Sequence, residues 1–345
     1  MNRKLNFAIV GCGVIAPSHA DSIKNIEDAR LYAVCDIIPE KADDFAQKYM
    51  VERVYYDYRE LMKDPEVDVV CVCVPSGIHG EISKAAARAG KHIVCEKPME
   101  ITPEKIDDVI KVVRECGVKM QCIFQRRTMK AAIAVKNAIR EGKLGKIVLA
   151  DAYLKYYRSQ EYYNSAGWRG TWELDGGGAL MNQGVHGIDL LLWMVGEKVT
   201  RVFAKAGTLA RNIAVEDTAA AIVQFESGGF GIIEGTTSVY PGFETRFEIH
   251  GEKGTVIFDD SGIREWSFIG DDAPTMPEAG ESLGGASDPA KISSAGHYIL
   301  IKDMVDAILG DREPMIPPEE ARTAVDLICA IYKSSRENRE LDFQK

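Results

Sequence analysis

The sequence predicts an α/β protein in which a doubly wound parallel sheet is followed by an α+β domain with an open, mostly antiparallel sheet. Short apolar runs alternate with helical segments in the first part, and a glycine-rich turn ends the first run. Later runs are instead joined by hairpin-like turns. At 345 residues the chain is long enough for two cores. We place the domains at residues 1–124 and 125–345.

The strands of the first domain are short and almost wholly apolar, as expected of strands buried on both faces of a parallel sheet. Helical segments separate them, so parallel pairing with right-handed crossovers follows. The clearest predicted strands are Leu5–Val10, Leu31–Cys35, Val67–Val74, His92–Cys95 and Lys119–Phe124.

A glycine-rich turn follows the first strand and has the sequence Gly11-Cys12-Gly13-Val14-Ile15-Ala16. Gly11 permits a tight turn, and Gly13 lacks the side chain that would hold a pyrophosphate away from the backbone. The backbone at Val14 and Ile15 then leads into a helix whose N-terminus favours an anion. Strand, turn, helix and second strand in this order predict a dinucleotide site in a Rossmann domain.

Asp36 ends the second strand, 20 residues after Ala16. That spacing is typical of the carboxylate that binds the adenosine ribose of a dinucleotide. The same carboxylate would repel the extra phosphate of NADP, so we expect the cofactor to be NAD, with NADP less favoured.

Two further segments lie where later strands of the first sheet end. Ligands of doubly wound sheets bind at the carboxyl ends of the strands, which directs attention to Pro75 and His79 after one strand and to Glu96-Lys97-Pro98 after the next. We expect Pro75, His79, Glu96 and Lys97 to contact the cofactor. The Lys97–Pro98 bond is a candidate cis peptide.

The second domain is predicted to begin with a helix at Met129–Glu141 and to contain another at about Gly178–Met194. Residues 271–288, rich in Gly, Pro, Ser and acidic residues, are predicted to form an exposed loop. Two helices, about Ala295–Leu309 and Pro318–Arg336, are expected near the end. The predicted strands are Val148–Tyr157, Arg201–Ala206, Thr218–Phe225, Gly229–Gly235, Thr245–His250 and Gly254–Phe258.

Charge and composition exclude several classes of protein. A formal net charge of −10 argues against nucleic-acid partners, which need a basic surface. No stretch is long enough to span a bilayer, and the first strand follows Asn2-Arg3-Lys4 directly, so a cytoplasmic location is expected.

Cys71 and Cys73 lack partner ligands at a zinc-site spacing, so no metal is predicted. An open sheet face would favour a homodimer or homotetramer.

The chain resembles the Gfo/Idh/MocA family of oxidoreductases over essentially its whole length. The resemblance rests on the glycine turn, Asp36, Glu96-Lys97-Pro98, Phe124-Gln125-Arg126-Arg127 and, most sharply, on the segment from Gly176 to Asp189 that contains Asn182-Gln183-Gly184-Val185-His186. It implies NAD(P)-dependent hydride transfer at a sugar or polyol carbinol, with Lys97 and His186 in the site. Gln125 is then expected at the cofactor and Arg126 at the substrate. Within the family, the chain looks most like the sugar-nucleotide 3-dehydrogenases.

Alcohol oxidation needs a base for the hydroxyl proton and a donor that stabilises developing alkoxide charge. His186 is predicted to be the base and Lys97 the donor. Many family members carry aspartate where this chain has Asn182, which can hydrogen-bond the substrate but cannot hold a charge. Asp189 is predicted to be structural. His19 is predicted to have no catalytic role, because no proton-relay partner lies near it in the sequence.

Aromatic and basic side chains are concentrated between Tyr153 and Trp172. Such residues suit sugars and anionic groups, but they are also enriched at protein interfaces, and both interpretations stay open. Under the first, Tyr157, Arg158 and Arg169 bind the substrate. The cations considered to favour an anionic sugar are Arg126, Arg127, Lys155, Arg158 and Arg169.

The predicted function is an NAD-dependent sugar dehydrogenase acting on a secondary hydroxyl, for example C3 of a nucleotide sugar or glycoside. An inositol, polyol or free-sugar dehydrogenase is one alternative. A non-catalytic NAD-sensing regulator of the same fold is another, and the presence of both Lys97 and His186 favours the enzyme.

Overall fold

The computed structural model describes residues 3–270, 274–276 and 294–343. The described residues form two compact units. The first unit comprises the described parts of Met1–Gln125 and Ser293–Arg322, and the second those of Arg126–Ile292 and Thr323–Lys345. Residues 271–288 were predicted to form a loop, and most of them lie outside the described residues.

The helices and strands follow one another along the chain, with short 3-10 turns at Ser76–Ile78 and Gln125–Thr128 and a π-helical turn at Ala179–Gly184. The elements of the first 125 residues are β1 (Leu5–Val10), α1 (Ala16–Lys24), β2 (Ala29–Cys35), α2 (Pro39–Tyr49), β3 (Arg53–Tyr55), α3 (Tyr58–Met62), β4 (Val69–Val72), α4 (His79–Arg88), β5 (His92–Cys95), α5 (Pro103–Glu115) and β6 (Met120–Cys122). The later elements are α6 (Lys130–Arg140), β7 (Ile147–Lys155), α7 (Gln160–Asn164), α8 (Val185–Val195), β8 (Val199–Gly207), β9 (Thr218–Phe225), β10 (Phe230–Thr236), β11 (Arg246–Gly251), β12 (Gly254–Asp259), β13 (Gly262–Phe268), α9 (Ala295–Leu309), α10 (Pro318–Glu337) and β14 (Leu341–Asp342).

The first unit is built on a six-stranded sheet with the order β3-β2-β1-β4-β5-β6. Its strand pairs run parallel. This order is that of the doubly wound dinucleotide-binding fold, in which the strand order reverses between β1 and β4. Every residue of the central strand β4 lies in the core. The predicted Rossmann domain is confirmed.

The segment from α9 to Arg322 belongs to the first unit, although it follows most of the second unit in sequence. Helix α9 packs against α1 and β6. The side chain of Gln121 in β6 joins this segment to the sheet, because its amide donates to Leu300 O at 3.3 Å and accepts from Ile316 N at 2.9 Å. The expected division at residue 124 did not include this return of the chain.

The second unit is built on an eight-stranded sheet with the order β13-β12-β11-β7-β10-β9-β8-β14. Most neighbours are antiparallel, whereas β7 and β10 pair in parallel. The hairpin-like turns Ser227-Gly228-Gly229 and Gly251-Glu252-Lys253-Gly254 join antiparallel neighbours. The open, mostly antiparallel sheet is therefore confirmed.

Short or partly exposed elements escaped prediction from the sequence. Strand β3 has three residues and β14 only two, while β13 has no fully buried residue. The helix predicted at Gly178–Met194 consists of the π-helical turn followed by α8. Within the part of the chain that the structure describes, no helix is long and apolar enough to cross a membrane.

Candidate functional site

The glycine turn of the first unit is shaped for a ligand that approaches the backbone closely. Gly11 has φ +97°, and a Cβ there would lie 2.5 Å from Cys73 O, so only glycine fits. A Cβ at Gly13 would meet no described atom within 4 Å, which leaves open space in front of α1. The N-cap residue Ile15 makes no side-chain hydrogen bond to the first turn of α1. This geometry fits a pyrophosphate.

Asp36 lies directly beside this turn. Its carboxylate accepts hydrogen bonds from the backbone N–H groups of Cys12 at 2.8 Å and Ile38 at 2.9 Å. These contacts hold the carboxylate at the end of β2, next to the glycine turn. The position is the one that the spacing predicted for a ribose-binding group.

The Glu96-Lys97-Pro98 turn follows β5, and the Lys97–Pro98 peptide is cis, as predicted. His79 supports this turn because it is buried and its Nδ1 lies 2.7 Å from Pro98 O. Its Nε2 lies 2.8 Å from Val74 O, just before Pro75. Both ring nitrogens are thus engaged with the backbone, which favours a supporting role for His79 over the expected cofactor contact. Lys97 is half-buried.

His19 has contacts that its neighbourhood in the sequence does not indicate. It is fully buried in α1, and its Nε2 lies 2.9 Å from Glu96 Oε1. His297 of α9 contacts the same oxygen through Nε2 at 3.0 Å. That His19 has no catalytic role stays a prediction. The reason given for it does not hold in the fold, because Glu96 and His297, 77 and 278 positions further along the chain, lie against His19.

His186 lies at the start of α8 in the second unit and is 8% exposed. Glu216 fixes the turn that precedes this helix, since its carboxylate accepts from Gly178 N at 3.0 Å and Leu180 N at 2.8 Å. Tyr332 also donates to it at 2.7 Å. A Cβ at Gly178 would lie 2.1 Å from Glu216 O, so this close approach requires glycine. Burial raises the pKa of the Glu216 carboxyl.

A hydrogen-bond network surrounds the π-helical turn next to His186. Asn182 donates to the buried Asp175 carboxylate, so a carboxylate lies one hydrogen bond away from the position where many family members have aspartate. Gln183 donates to Asn182 Oδ1 at 2.5 Å and to the Tyr162 hydroxyl at 3.0 Å. The basic residues of the network are Arg158, which donates to Gln183 Oε1 at 3.1 Å, and Arg169, which donates to the Tyr162 hydroxyl.

Other basic residues expected near the substrate are neutralised by carboxylates. Arg126 is buried and pairs with Asp260, Arg127 forms a two-point hydrogen bond with Asp189 at 2.7 and 2.8 Å, and Lys155 lies 2.8 Å from Glu234. These carboxylates offset the positive charge of the three residues, which weakens their expected contribution to binding an anionic sugar. That the five cations favour an anionic sugar stays a prediction.

Tyr157 and Gln125, the remaining predicted site residues, differ in burial. Tyr157 is half-buried, with the Tyr240 ring packed edge-on at 5.2 Å and the Arg211 guanidinium 5.3 Å from its ring centre. Gln125 is buried at the start of the 3-10 turn. Contact of Tyr157 with substrate and of Gln125 with cofactor stays a prediction.

Sequence reasoning missed Asp175, Glu216 and His297. Asp175 stands directly before the triple glycine of the recognised segment, which was a usable signal. The other two act on residues 38 and 201 positions away, so nothing local to them indicates a role.

Two family profiles match the chain. Residues 5–124 match an oxidoreductase family with an NAD-binding Rossmann fold, and residues 132–257 match the GFO/IDH/MocA C-terminal domain. Together these matches cover most of the chain.

Known proteins of this kind are similar along much or all of their length. The WlbA dehydrogenase of Bordetella pertussis, solved in complex with NADH and UDP-GlcNAcA, is 33% identical, with a TM-score of 0.88 and coverage of 99% of both chains. A myo-inositol 2-dehydrogenase of Thermotoga maritima is 29% identical over 77% of this chain and 78% of its own length. A levoglucosan dehydrogenase of Pseudarthrobacter phenanthrenivorans is 28% identical over 74% of each. From the sheet order, the glycine turn and these matches we conclude that the chain belongs to the GFO/IDH/MocA family and is an NAD-binding oxidoreductase.

Proposed function

We propose that this protein is an NAD-dependent dehydrogenase that acts on a secondary hydroxyl of a nucleotide sugar. The observation that carries this proposal is the full-length similarity to a dehydrogenase solved with NADH and UDP-GlcNAcA. The inositol and levoglucosan dehydrogenases cover about three quarters of the chain at lower identity. They favour a neutral polyol or free sugar as the second candidate.

In the proposed reaction, NAD supplies the hydride acceptor. His186 is the proposed base for the hydroxyl proton, and the Lys97 side chain is the proposed donor that stabilises developing negative charge. Glu216 holds the turn before His186, and the Glu96 carboxylate accepts from the Lys97 backbone N–H at 3.3 Å. These carboxylates thus hold the backbone next to each of the two proposed catalytic residues, His186 and Lys97.

The proposed substrate is anionic because Arg158 and Arg169 lie in the network around Asn182 and Gln183. Arg169 donates to the Tyr162 hydroxyl, and its buried Nε has no hydrogen-bond partner among the described residues. A guanidinium in such surroundings suits a phosphate or carboxylate.

We expect the kcat/KM of the purified protein, measured as NADH formation, to be higher for a nucleotide sugar acid than for the matching neutral sugar. Replacing Arg169 with Gln should narrow that difference, whereas Arg246→Gln, at an exposed pair with Glu248, should leave it unchanged. Raising the salt concentration should weaken apparent binding of the anionic substrate more than that of the neutral one. Equal kcat/KM for both would reject the nucleotide-sugar proposal in favour of a polyol or free sugar. No turnover with any sugar would favour the NAD-sensing regulator.

Asp36 is proposed to select NAD over NADP. We expect the unmodified protein to bind NAD well and NADP poorly, because the carboxylate would accept from the ribose hydroxyls and repel a 2′-phosphate. Asp36→Ser should narrow the ratio of the two dissociation constants, whereas Asp43→Ser at the exposed pair with Tyr56 should not. Equal affinity of the unmodified protein for both cofactors would contradict this role.

We further propose a cytoplasmic homo-oligomer that forms through the sheet of the second unit. Phe203, Ile222 and Ile232 lie side by side on β8, β9 and β10, and the first two are 39% and 54% exposed. Exposed apolar rows of this kind favour a second copy of the chain. The native mass should exceed that of one chain, and Ile222→Lys should lower it. A monomeric mass for the unmodified protein would remove this interface.

A further inference from the structure

A buried cluster of His19, Glu96 and His297 lies in the first unit, and the proposed reaction assigns no role to its two histidines. Helix α1 supplies His19, the turn after β5 supplies Glu96 and α9 supplies His297. The exposed fractions of the three residues are 0%, 6% and 0%. Their ligating atoms lie within 4.8 Å of one another, and the two imidazole rings pack edge-on with centres 5.3 Å apart.

The hydrogen bonds of the cluster define its protonation. A carboxylate only accepts, so both Nε2 atoms must donate their protons to Glu96 Oε1. The Nδ1 atoms of both rings have no hydrogen-bond partner among the described residues, as expected if neither carries a proton. Burial lowers the pKa of His19 despite the nearby carboxylate. Burial opposes ionisation of Glu96, but the hydrogen bonds from the two histidines outweigh it and hold its pKa well below the ordinary value.

Two histidines and a glutamate are also ligands that a transition metal accepts. A metal-bound histidine, however, almost always donates its other ring N–H to a second partner. Neither Nδ1 has such a partner in the described part of the chain. The geometry therefore favours hydrogen bonds to an anionic glutamate over a metal site.

The second oxygen of Glu96 connects this cluster to Lys97. Glu96 Oε2 accepts from the Lys97 backbone N–H at 3.3 Å, while His79 holds the following Pro98 carbonyl at 2.7 Å. The two histidines thus fix one oxygen of the Glu96 carboxylate, and the other oxygen fixes the backbone N–H of Lys97. A carboxylate without the two N–H donors would have freedom to rotate away.

We propose that His19 and His297 are positioning residues that fix the Glu96 carboxylate and, through it, the backbone from which Lys97 reaches the substrate. The proposal rests on the proposed function for the role of Lys97. The cluster joins residues 19, 96 and 297, so α9 contributes to the site although it follows most of the second unit in the chain. The two histidines are suited to this task because each places an N–H at the same carboxylate oxygen.

The test compares two substitutions at one position. His297→Leu removes the donor, and we expect kcat to fall by about 10-fold because small misplacements of a reacting group are costly. The KM and the dissociation constant for NAD should change little. His297→Gln can place an N–H near the position of the histidine Nε2, and it should recover most of kcat. Lys302→Gln on the exposed side of α9 is the matched control and should behave like the unmodified protein.

A double-mutant cycle separates positioning from general damage. If His297 acts through Lys97, then His297→Leu should have no further effect on the residual kcat of Lys97→Met. An equal fold-loss of kcat from His297→Leu in the unmodified protein and in Lys97→Met would overturn the proposal. A kcat of His297→Gln no higher than that of His297→Leu would also overturn it. Near-normal turnover of Lys97→Met alone would instead reject the proposed function of Lys97.

The cluster itself has readouts that do not depend on turnover. Long-range proton–nitrogen NMR spectra should show both histidines protonated at Nε2 and not at Nδ1 near neutral pH. Metal analysis of the full-length protein should find no stoichiometric transition metal, also after exposure to Zn²⁺ and removal of excess ion. One bound metal per chain that is lost in His297→Leu would replace the positioning role with a metal site.

Discussion

Replacing either Lys97 or His186 with alanine is expected to lower kcat by about 10²-fold or more, which is typical of a lost general acid or base. NAD binding should be largely retained in both variants, because the glycine turn and Asp36 are untouched. Stopped-flow or steady-state NADH formation measures kcat, and a fluorescence titration measures the dissociation constant for NAD.

The matched controls replace the same residue types elsewhere in the chain. Lys302 lies on the exposed side of α9, and His250 of β11 contacts the Thr255 hydroxyl of β12 through Nδ1. Lys302→Ala and His250→Ala should retain normal kcat. Near-normal turnover of Lys97→Ala or His186→Ala would remove that residue from the mechanism, and loss of NAD binding would show that the substitution acts through the cofactor site instead.

The dinucleotide site was predictable because its signals are local. The apolar run Leu5–Val10, the glycines and Asp36 lie within 32 residues of one another, and each constrains the backbone by itself. Strand order then follows from the alternation of strands and helices. The structure adds the specific reasons, such as the approach of Gly11 to Cys73 O.

The parts that sequence reasoning missed depend on contacts between distant segments. Asp260 neutralises Arg126 across 134 positions, and His297 reaches Glu96 across 201. No periodicity or spacing near Arg126 indicates that a carboxylate will form an ion pair with its guanidinium. The return of α9 to the first unit has the same origin, because its apolar residues could have packed on either sheet as far as the pattern shows.

The pair of Arg127 and Asp189 should have a large effect on stability. Arg127 lies in the 3-10 turn and Asp189 one turn after His186, and their side chains are 4% and 1% exposed. Breaking such a buried pair typically costs about 3–5 kcal/mol, since a buried guanidinium loses the carboxylate that offsets its desolvation. We expect Asp189→Asn to lower the free energy of unfolding by this amount, measured by denaturant titration.

The exposed pair of Lys302 and Asp306 provides the control, because both side chains are 47% exposed. Asp306→Asn should cost no more than about 1 kcal/mol. A combined Arg127→Met and Asp189→Leu variant should be more stable than Asp189→Asn alone, because apolar side chains in both positions leave no buried charge. Equal losses of unfolding free energy for Asp189→Asn and Asp306→Asn would show that the buried pair stabilises the fold no more than the exposed pair does. The fold around His186 would then depend on Glu216 and its hydrogen bonds to Gly178 and Leu180 rather than on this ion pair.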